Sequence, residues 1–444
     1  MPPQEEEKIT ASNGVPPRDR LVTWAEVRSH DNKHDLWFVI DGMVYDVTNW
    51  SKRHPGGAKI LSHYAGQDAS EAWLSFHNDK ATVRKYMKPL CIGRLEDGGP
   101  KEAEQIKKDF RELRETVDKM GLFKPSYTFF GVHLAHIVLL DVLAYLIIAH
   151  YGAGWVPVVL ASIALAISQT QAGWLQHDFG HLSVFKTKWM DNLAHQVVIG
   201  LLKGASSAWW KNQHYQHHAK PNVIHKDPDI RVERVFVVGD VMPVEVAMKN
   251  KKSAPYNWQH LYYMVLTVAL VPVYYHIMVY RFIFTRQKWH ELVLAVLFPV
   301  IFVTSFYPHV GLTKTIAMYV LMRAIESQWF TWATQMSHIP MDIDKDKDKA
   351  WVTMQMHATC NVEKSHFNDW FTGHLNFQIE HHLFPTMPRH NLYKATPLVQ
   401  SLCKKHGLEY TIKPLGEALI DILRSLKKSG QLWQETHSHT WLHG

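Results

Sequence analysis

Five apolar tracts, all after residue 128, restrict the folds that this chain can adopt. Crossing a hydrocarbon core of about 30 Å takes roughly 20 apolar residues. The segments Phe129–His150 and Gly154–Trp174 meet that length, and the short turn between them makes them a helical hairpin. Three further tracts lie at about 261–284, 291–308 and 313–336. We therefore expect an all-α, multi-span membrane domain.

The charge and cysteine content of the chain fit a membrane protein that faces the cytosol. The formal net charge is +7 and the pI is near 9.0. A basic chain can bind nucleic acid, but Lys and Arg also collect on the cytosolic side of membrane proteins, and the apolar tracts favour that explanation. Only three cysteines occur, far apart, so neither a disulfide framework nor a thiolate zinc site is predicted.

Three clusters of histidine lie beside the apolar tracts, in a chain that has 30 histidines. They are His177-Asp178-Phe179-Gly180-His181, His214-Tyr215-Gln216-His217-His218 and Gln378-Ile379-Glu380-His381-His382. Side chains at i and i+4 on a helix share one face, with Cβ atoms about 5–6 Å apart, so each cluster can direct its imidazoles at one place. Because imidazole is the commonest metal ligand, the clusters predict a metal site.

The number of imidazoles indicates two metal ions. One four-coordinate ion needs four ligands, whereas the clusters supply at least seven nitrogens. A nitrogen-rich pair without thiolates favours iron used with O₂ over structural zinc. The predicted catalytic ligands are His177, His181, His214, His217, His218, Gln378, His381 and His382, with His338 as an additional ligand at the end of the last apolar tract.

Two kinds of supporting residue accompany these ligands. Gln378 stands where a third imidazole would complete an HxxHH pattern, and its amide is a weaker ligand that can act through water. The carboxylates of Asp178 and Glu380 are predicted to orient imidazoles as hydrogen-bond acceptors.

The positions of the clusters limit the number of membrane crossings. If all three clusters build one site, an even number of crossings separates His218 from His381. Three tracts lie between them, so one does not cross; we expect 291–308, the shortest, to be re-entrant, interfacial or part of a bent span. This gives four crossings, with the clusters, the N-terminal domain and the C-terminus cytosolic, and the basic segment 211–252 supports that side.

A second candidate site lies near the N-terminus. Two segments rich in β-forming residues flank Gly42, which is typical of two strands around a tight Asp-Gly turn. They are Trp37–Asp41 and Met43–Val47. His54-Pro55-Gly56-Gly57 follows, and His77 comes 23 residues after His54. Two histidines from opposing helix ends can hold a haem iron axially, which suits electron transfer and leaves no open position for O₂. The hypothesis is a small haem domain with His54 and His77 as ligands.

The chain resembles two known families. Residues 20–97 are similar to cytochrome b5, through His54 to Gly57, Tyr64 to Ala69 and Phe76-His77. Residues 127–444 are similar to the membrane fatty acyl desaturases. The motifs that carry this second resemblance are Trp174 to Ser183, Gln216 to Asn222, Asn368 to Phe371 and Met387 to His390. The order of the two domains and of the three histidine clusters, here also called boxes, resembles that of vertebrate front-end acyl-CoA desaturases of the delta-5/delta-6 type. In this order Gln378 is the first residue of the third box.

The resemblance implies a multi-domain architecture. A disordered tail (1–19) would precede a small α+β cytochrome b5-like haem domain (20–97). A linker with an interfacial helix (98–126) would lead to an all-α membrane desaturase domain (127–444) with about four transmembrane helices and a cytosolic di-iron cap. The implied cofactors are haem b and two non-haem iron ions, held by the histidines named above.

The resemblance also implies the reaction and its setting. A cis double bond would form between the carboxyl end and an existing double bond of a polyunsaturated fatty acyl-CoA. O₂ would be the oxidant, and NADH-cytochrome b5 reductase would supply electrons through the haem. We expect a multi-pass protein of the endoplasmic reticulum membrane, with both termini cytosolic and no nucleic-acid partner.

Two departures and two alternatives accompany this interpretation. Relatives usually have histidine at the positions of Leu201 and Asn212, the latter within a run that here is Lys211-Asn212-Gln213-His214. The first alternative is a di-iron lipid or sphingolipid hydroxylase, which would leave no alkene. The second is a catalytically silent, membrane-anchored b-type haem protein, which would hold one iron per chain where the enzyme holds about three.

Overall fold

A computed structural model of the chain describes residues 20–96, 101–249, 254–347 and 349–443. The predicted disordered tail, residues 1–19, lies outside the described residues. The chain divides into two compact units, Met1–Arg111 and Glu112–Gly444, and each is described by itself.

The N-terminal unit is an α+β fold built on a five-stranded sheet. Its strand order is β1-β5-β4-β3-β2, with β1 parallel to β5 and the other pairs antiparallel. The strands are β1 (Leu21–Val22), β2 (Asp31–Asn32), β3 (Asp35–Ile40), β4 (Met43–Asp46) and β5 (Cys91–Leu95). The helices are α1 (Trp24–Ser29), α2 (Ala58–Ser62), α3 (Ser70–Phe76) and α4 (Lys80–Met87).

The predicted strand pair is confirmed. β3 and β4 pair in antiparallel register from Trp37↔Asp46 to Ile40↔Met43. Asp41 and Gly42 between them both have positive φ, 54° and 73°, as a tight hairpin turn requires.

Helix α5 (Lys101–Lys119) contains the boundary between the two units, which falls after Arg111. Its first half packs on the N-terminal unit, where Phe110 is fully buried and the Lys107 ammonium lies 2.6 Å from an Asp68 carboxylate oxygen. The predicted linker, 98–126, therefore contains a helix that begins as part of the N-terminal unit. Residues 98–100 of that linker lie outside the described residues.

Over its described residues, the C-terminal unit is helical apart from one two-stranded parallel ribbon, β6 (Asn361–Val362) with β7 (Ile412–Lys413). Its first helices are α6 (Tyr127–Tyr151), α7 (Trp155–Gly180), α8 (Lys188–Gln196), α9 (Ser207–Ala219) and α10 (Val241–Met248). Next come α11 (Gln259–Ala269), α12 (His276–Arg286) and α13 (Trp289–Gln335). The last are α14 (Trp351–Ala358), α15 (His366–Phe371), α16 (Gln378–Leu383), α17 (Leu392–His406) and α18 (Leu415–His443).

Four helices in the described ranges are long and apolar enough to cross a membrane: Tyr127–Tyr151, Trp155–Gly180, Tyr256–Arg286 and Trp289–Gln335. The last of these, α13, is two antiparallel arms. The rings of Phe302 and Tyr319 lie 5.5 Å apart, although 17 residues of straight helix would separate them by about 25 Å. The chain reverses at Gly311, whose φ of 75° and ψ of 172° are not helical. Each arm is long enough to cross a core of about 30 Å.

The segment 256–286 has the length and hydropathy of a span, but it bends through a π-helical stretch, Leu270–Tyr275, between α11 and α12. Near its start Gln259 bonds the backbone of Val237 and Leu426. Just past its end Glu291 accepts the Ser206 hydroxyl, at the start of the histidine-bearing helix α9. From these contacts we infer that both ends lie on the histidine-bearing face and that the segment is re-entrant.

This geometry corrects the choice of the non-spanning tract. Tract 291–308 was expected to be re-entrant, interfacial or bent, but it is one full arm of the α13 hairpin. The hairpin tip lies at the opposite face, because Lys314 donates a hydrogen bond to Ala153 in the α6–α7 turn. Hydropathy alone misassigned it because length and composition do not record the direction of a helix.

Candidate metal centre and haem site

Five predicted ligands form the first histidine group. His177 and His181 come from the end of α7, His214 and His218 from α9, and His381 from α16. One ring nitrogen from each lies within 4.8 Å of the others, and all five rings are largely withdrawn from solvent. Imidazole nitrogens about 2.1 Å from one ion can be at most about 4.2 Å apart, so the group is close to the size of a metal shell.

His217, His338 and His382 form the second histidine group, again with ligand nitrogens within 4.8 Å of one another. The amide nitrogen of Gln378 lies 2.9 Å from the Nε2 of His338. The structure thus brings together all nine residues predicted as ligands. The two groups adjoin, since the rings of His218 and His382 stack at 4.2 Å.

Each His-His doublet is shared between the groups. His218 and His381 belong to the five-histidine group, whereas their neighbours His217 and His382 belong to the three-histidine group. Consecutive residues on an α-helix point about 100° apart, so a doublet cannot direct both rings at one ion but can serve two adjacent ions. This explains why two of the boxes end in a doublet.

The protonation of these imidazoles fits metal binding, which requires neutral rings. Burial lowers the pKa of His214, His218 and His382, and neighbouring histidines lower it further. His217 is the exception: burial lowers its pKa, but the carboxylates of Asp227 and Asp229 outweigh this and raise it to about 9.

Two buried imidazole nitrogens also suit binding of a metal ion. Among the residues that the structure describes, Nε2 of His381 and Nε2 of His382 have no hydrogen-bond partner, although both side chains are buried. An unpaired buried polar atom costs about 1–3 kcal/mol, and a bound ion would remove that cost. The donor set of imidazoles and one amide, without thiolate, fits a pair of non-haem irons.

The hydrogen-bond partners of the rings differ from the predicted ones. Asp178 accepts the backbone N–H of Arg389 at 3.1 Å, and Glu380 accepts Asn361 at 2.8 Å together with the Tyr410 hydroxyl. Neither carboxylate orients an imidazole, so that prediction is wrong.

In the three-histidine group, three other residues accept a hydrogen bond from Nδ1 of each ring, called here its outer nitrogen. Nδ1 of His217 donates to Asp227, and Nδ1 of His382 donates to the Gln355 amide oxygen, each at 2.9 Å. Nδ1 of His338 donates to the Ala358 carbonyl, also at 2.9 Å. No local spacing to a histidine marks these partners, so the sequence carried no signal for them.

Gly180, inside the first box, allows an aromatic ring to approach the centre. The indole of Trp210 stacks on His214 with ring centroids 4.2 Å apart. A Cβ on Gly180 would lie 2.2 Å from that indole. We expect Gly180→Ala to destabilise the protein by about 1–3 kcal/mol through overpacking and to lower non-haem iron content, because Trp210 would push on His214.

Thermal unfolding in detergent and iron analysis measure both effects of Gly180→Ala. Gly131→Ala is the matched control, since Gly131 is also helical and has open space where its Cβ would stand. Equal stability and iron content in the two variants would contradict the proposed role of Gly180.

The N-terminal unit brings its two predicted ligands together. His54 and His77 face each other with ring centroids 6.3 Å apart. Nδ1 of His77 lies 2.9 Å from the Trp73 carbonyl, so Nε2 is the nitrogen that would bind an iron. A Cβ on Gly56 would lie 2.8 Å from the His54 ring, which accounts for glycine after Pro55. Burial, followed by His77, lowers the pKa of His54 to about 4, so its ring is neutral at pH 7.

The departures near the second box lie outside both histidine groups. Leu201 ends a π-helical segment, Val197–Leu201, and the Asn212 side chain donates to Gln213 at 3.1 Å.

Comparison with known proteins gives matches over both units. The family model "Fatty acid desaturase" matches residues 153–414, and "Cytochrome b5-like Heme/Steroid binding domain" matches residues 23–96. A Mus musculus protein, "Fatty acid desaturase 2-like protein FADS2B", is 47% identical over 422 residues, which cover 94% of this chain and 87% of the mouse protein. Among solved structures, the cytochrome b5 of Ostreococcus tauri virus 2 is 32% identical and covers 17% of this chain and 95% of its own, with a TM-score of 0.16.

Proposed function

Because this chain belongs to the fatty acid desaturase family and carries a fused cytochrome b5-like domain, we propose that it is a front-end desaturase. Its substrate would be a polyunsaturated fatty acyl-CoA, and its product would carry one new cis double bond of the delta-5 or delta-6 type. The observation that carries the proposal is the pair of adjacent, buried histidine groups at the C-terminal ends of α7 and α9.

The residues assigned to the two irons follow from the two groups. His177, His181, His214, His218 and His381 would hold one ion, and His217, His338 and His382 the other, with Gln378 beside His338. Bound iron would supply the O₂ activation and hydrogen abstraction that alkene formation requires. The protein's own task is to hold these rings neutral and fixed and to place an acyl chain beside them.

Aromatic side chains next to the first box support an apolar approach for the acyl chain. Trp174 is 2% exposed and stacks on Phe330 at 5.7 Å. Trp329 stacks on Phe371 at 5.0 Å and donates its indole N–H to the Phe371 carbonyl. Trp174 is buried and the other three rings are half-buried, so they suit lining a substrate path and excluding water more than anchoring at the lipid interface.

The N-terminal haem domain is the proposed route by which electrons reach the histidine groups. His54 and His77 would hold haem b between two imidazoles, and the haem would supply one-electron transfer. NADH-cytochrome b5 reductase is the proposed donor, and O₂ the oxidant.

The proposed location is the endoplasmic reticulum membrane, with the histidine groups and both termini on the cytosolic face. Within the C-terminal unit, two contacts support placing the start of α6 and helix α18 on the same face as the histidine groups. The Ser126 N–H at the start of α6 donates to His390, eight residues after His382, and Gln259 bonds Leu426 in α18.

Expression in yeast tests the reaction. Cells fed separately with C18 and C20 polyunsaturated acids are expected to gain an acid with one additional cis double bond, located by mass spectrometry between the carboxyl group and the existing alkenes. A hydroxylated acid without a new alkene would favour the hydroxylase alternative. No modified lipid, with about one iron per purified chain, would favour the silent haem protein.

A further inference from the structure

The outer nitrogens of the three-histidine group are each fixed by an acceptor. Carboxylate, amide and carbonyl oxygens can only accept from Nδ1, so His217, His382 and His338 must carry the proton there. Each ring then turns Nε2 toward the interior of the group. The ring orientation needed for metal binding is therefore set before an ion arrives.

Asp227 holds His217 through a carboxylate whose two oxygens are both engaged. One oxygen accepts Nδ1 of His217 at 2.9 Å and the Asn222 N–H at 2.8 Å. The other accepts the Asp229 N–H at 2.8 Å. Asp227 is completely buried, so its orientation is determined by these donors. The carboxylate is therefore held in the position from which it bonds His217.

Gln355 connects the second and third boxes. Its amide nitrogen donates to the His218 carbonyl at 2.9 Å, which forces its oxygen toward His382. The residue is completely buried in α14. One side chain thus fixes the ring of His382 relative to the backbone of α9.

These contacts matter most where ligands are fewest. The three-histidine group has three imidazoles and the Gln378 amide, while the neighbouring group has five imidazoles. Misplacing one ring removes one of three imidazoles from the three-histidine group, but only one of five from the five-histidine group. Partners that orient a ligating ring typically contribute 10–100-fold to metal affinity.

We propose that Asp227 and Gln355 are positioning residues that fix His217 and His382 and thereby set iron occupancy of the three-histidine site. The inference rests on the proposed function, because it requires two non-haem irons.

The test is Fe²⁺ binding to the full-length chain in detergent, without oxygen, starting from protein stripped of non-haem iron. Asp227→Asn keeps the shape of the side chain, but either orientation of its amide places an N–H against a former donor. The expected result is a loss of one of the two non-haem irons, with the affinity for that ion weakened about 10–100-fold. The haem absorption stays unchanged.

Asp229→Asn is the matched control. It removes the same charge two residues away, but the Asp229 carboxylate lies 3.6 Å from His217, beyond hydrogen-bond distance, and its side chain is 40% exposed. Two irons in Asp229→Asn and one in Asp227→Asn support the inference. Equal loss in both variants would overturn it, because charge alone would then explain the effect. Two irons bound to Asp227→Asn with wild-type affinity would also overturn it.

A second variant covers the case in which Asp227→Asn does not elute as folded protein. Gln355→Leu removes the contact to His382 through a different element, and folded protein with one non-haem iron supports the inference, whereas two irons overturn it. A wild-type chain that binds no non-haem iron would contradict the proposed function itself and is recognised before any variant is compared.

Discussion

Substitution of His218 by alanine is expected to lower alkene formation at least about 100-fold, more than the loss of a residue that only orients a ligand. His218 is completely buried and lies between the two groups. Its Nε2 is 3.0 Å from that of His214, and its ring stacks on His382 at 4.2 Å. Removing this imidazole takes a ligand from the five-histidine group and the packing partner of a ligand from the other.

The measurement for His218→Ala combines product analysis with metal counting. We expect at most one non-haem iron per chain, with the haem absorption retained because the N-terminal unit is untouched. His290→Ala serves as the control, since His290 follows the re-entrant segment and its side chain is 59% exposed. Normal desaturation by His218→Ala would remove the five-histidine group from the proposed centre.

Replacement of His54 by alanine is expected to abolish haem binding and to lower NADH-driven desaturation at least about tenfold in a reconstituted system. His54 would supply one of the two imidazoles that hold the haem, and its ring faces His77 with centroids 6.3 Å apart. A single remaining imidazole is not expected to retain the haem. Non-haem iron content should not change, because the histidine groups lie in the other unit.

Absorption spectra and activity with purified NADH and reductase check the His54 prediction. His34→Ala is the matched control, an exposed histidine in the same unit, and should keep both haem and activity. Undiminished NADH-driven activity in haem-free His54→Ala would show that the haem is not on the electron path.

Local spacing was enough to identify the histidines that the structure brings together. The i, i+4 pair His177 and His181 and the doublet His217-His218 mark helical faces, and imidazole chemistry names their role. The Asp41-Gly42 turn was likewise predicted from a backbone conformation that glycine permits. The enzyme class and the haem and iron cofactors predicted from these residues agree with the family of the chain.

Contacts between remote segments could not be predicted in the same way. Asp227 reaches His217 through an irregular loop, and Gln355 reaches His382 from a different helix, so neither lies at a helical spacing from its ring. Asp178 and Glu380 adjoin the histidines in sequence, but the helix directs them toward Arg389 and Tyr410 instead.

The amino-acid sequence alone determined which chemistry this protein can perform, because side-chain type, helical periodicity and the length of apolar runs are local properties. Tertiary structure decided how the eight histidines divide into groups of five and three, which acceptors hold their rings, and that 256–286 bends back while 291–308 forms one full arm of the α13 hairpin. Those properties depend on the direction of helices and on atoms from distant segments meeting within about 3 Å, the range of a hydrogen bond.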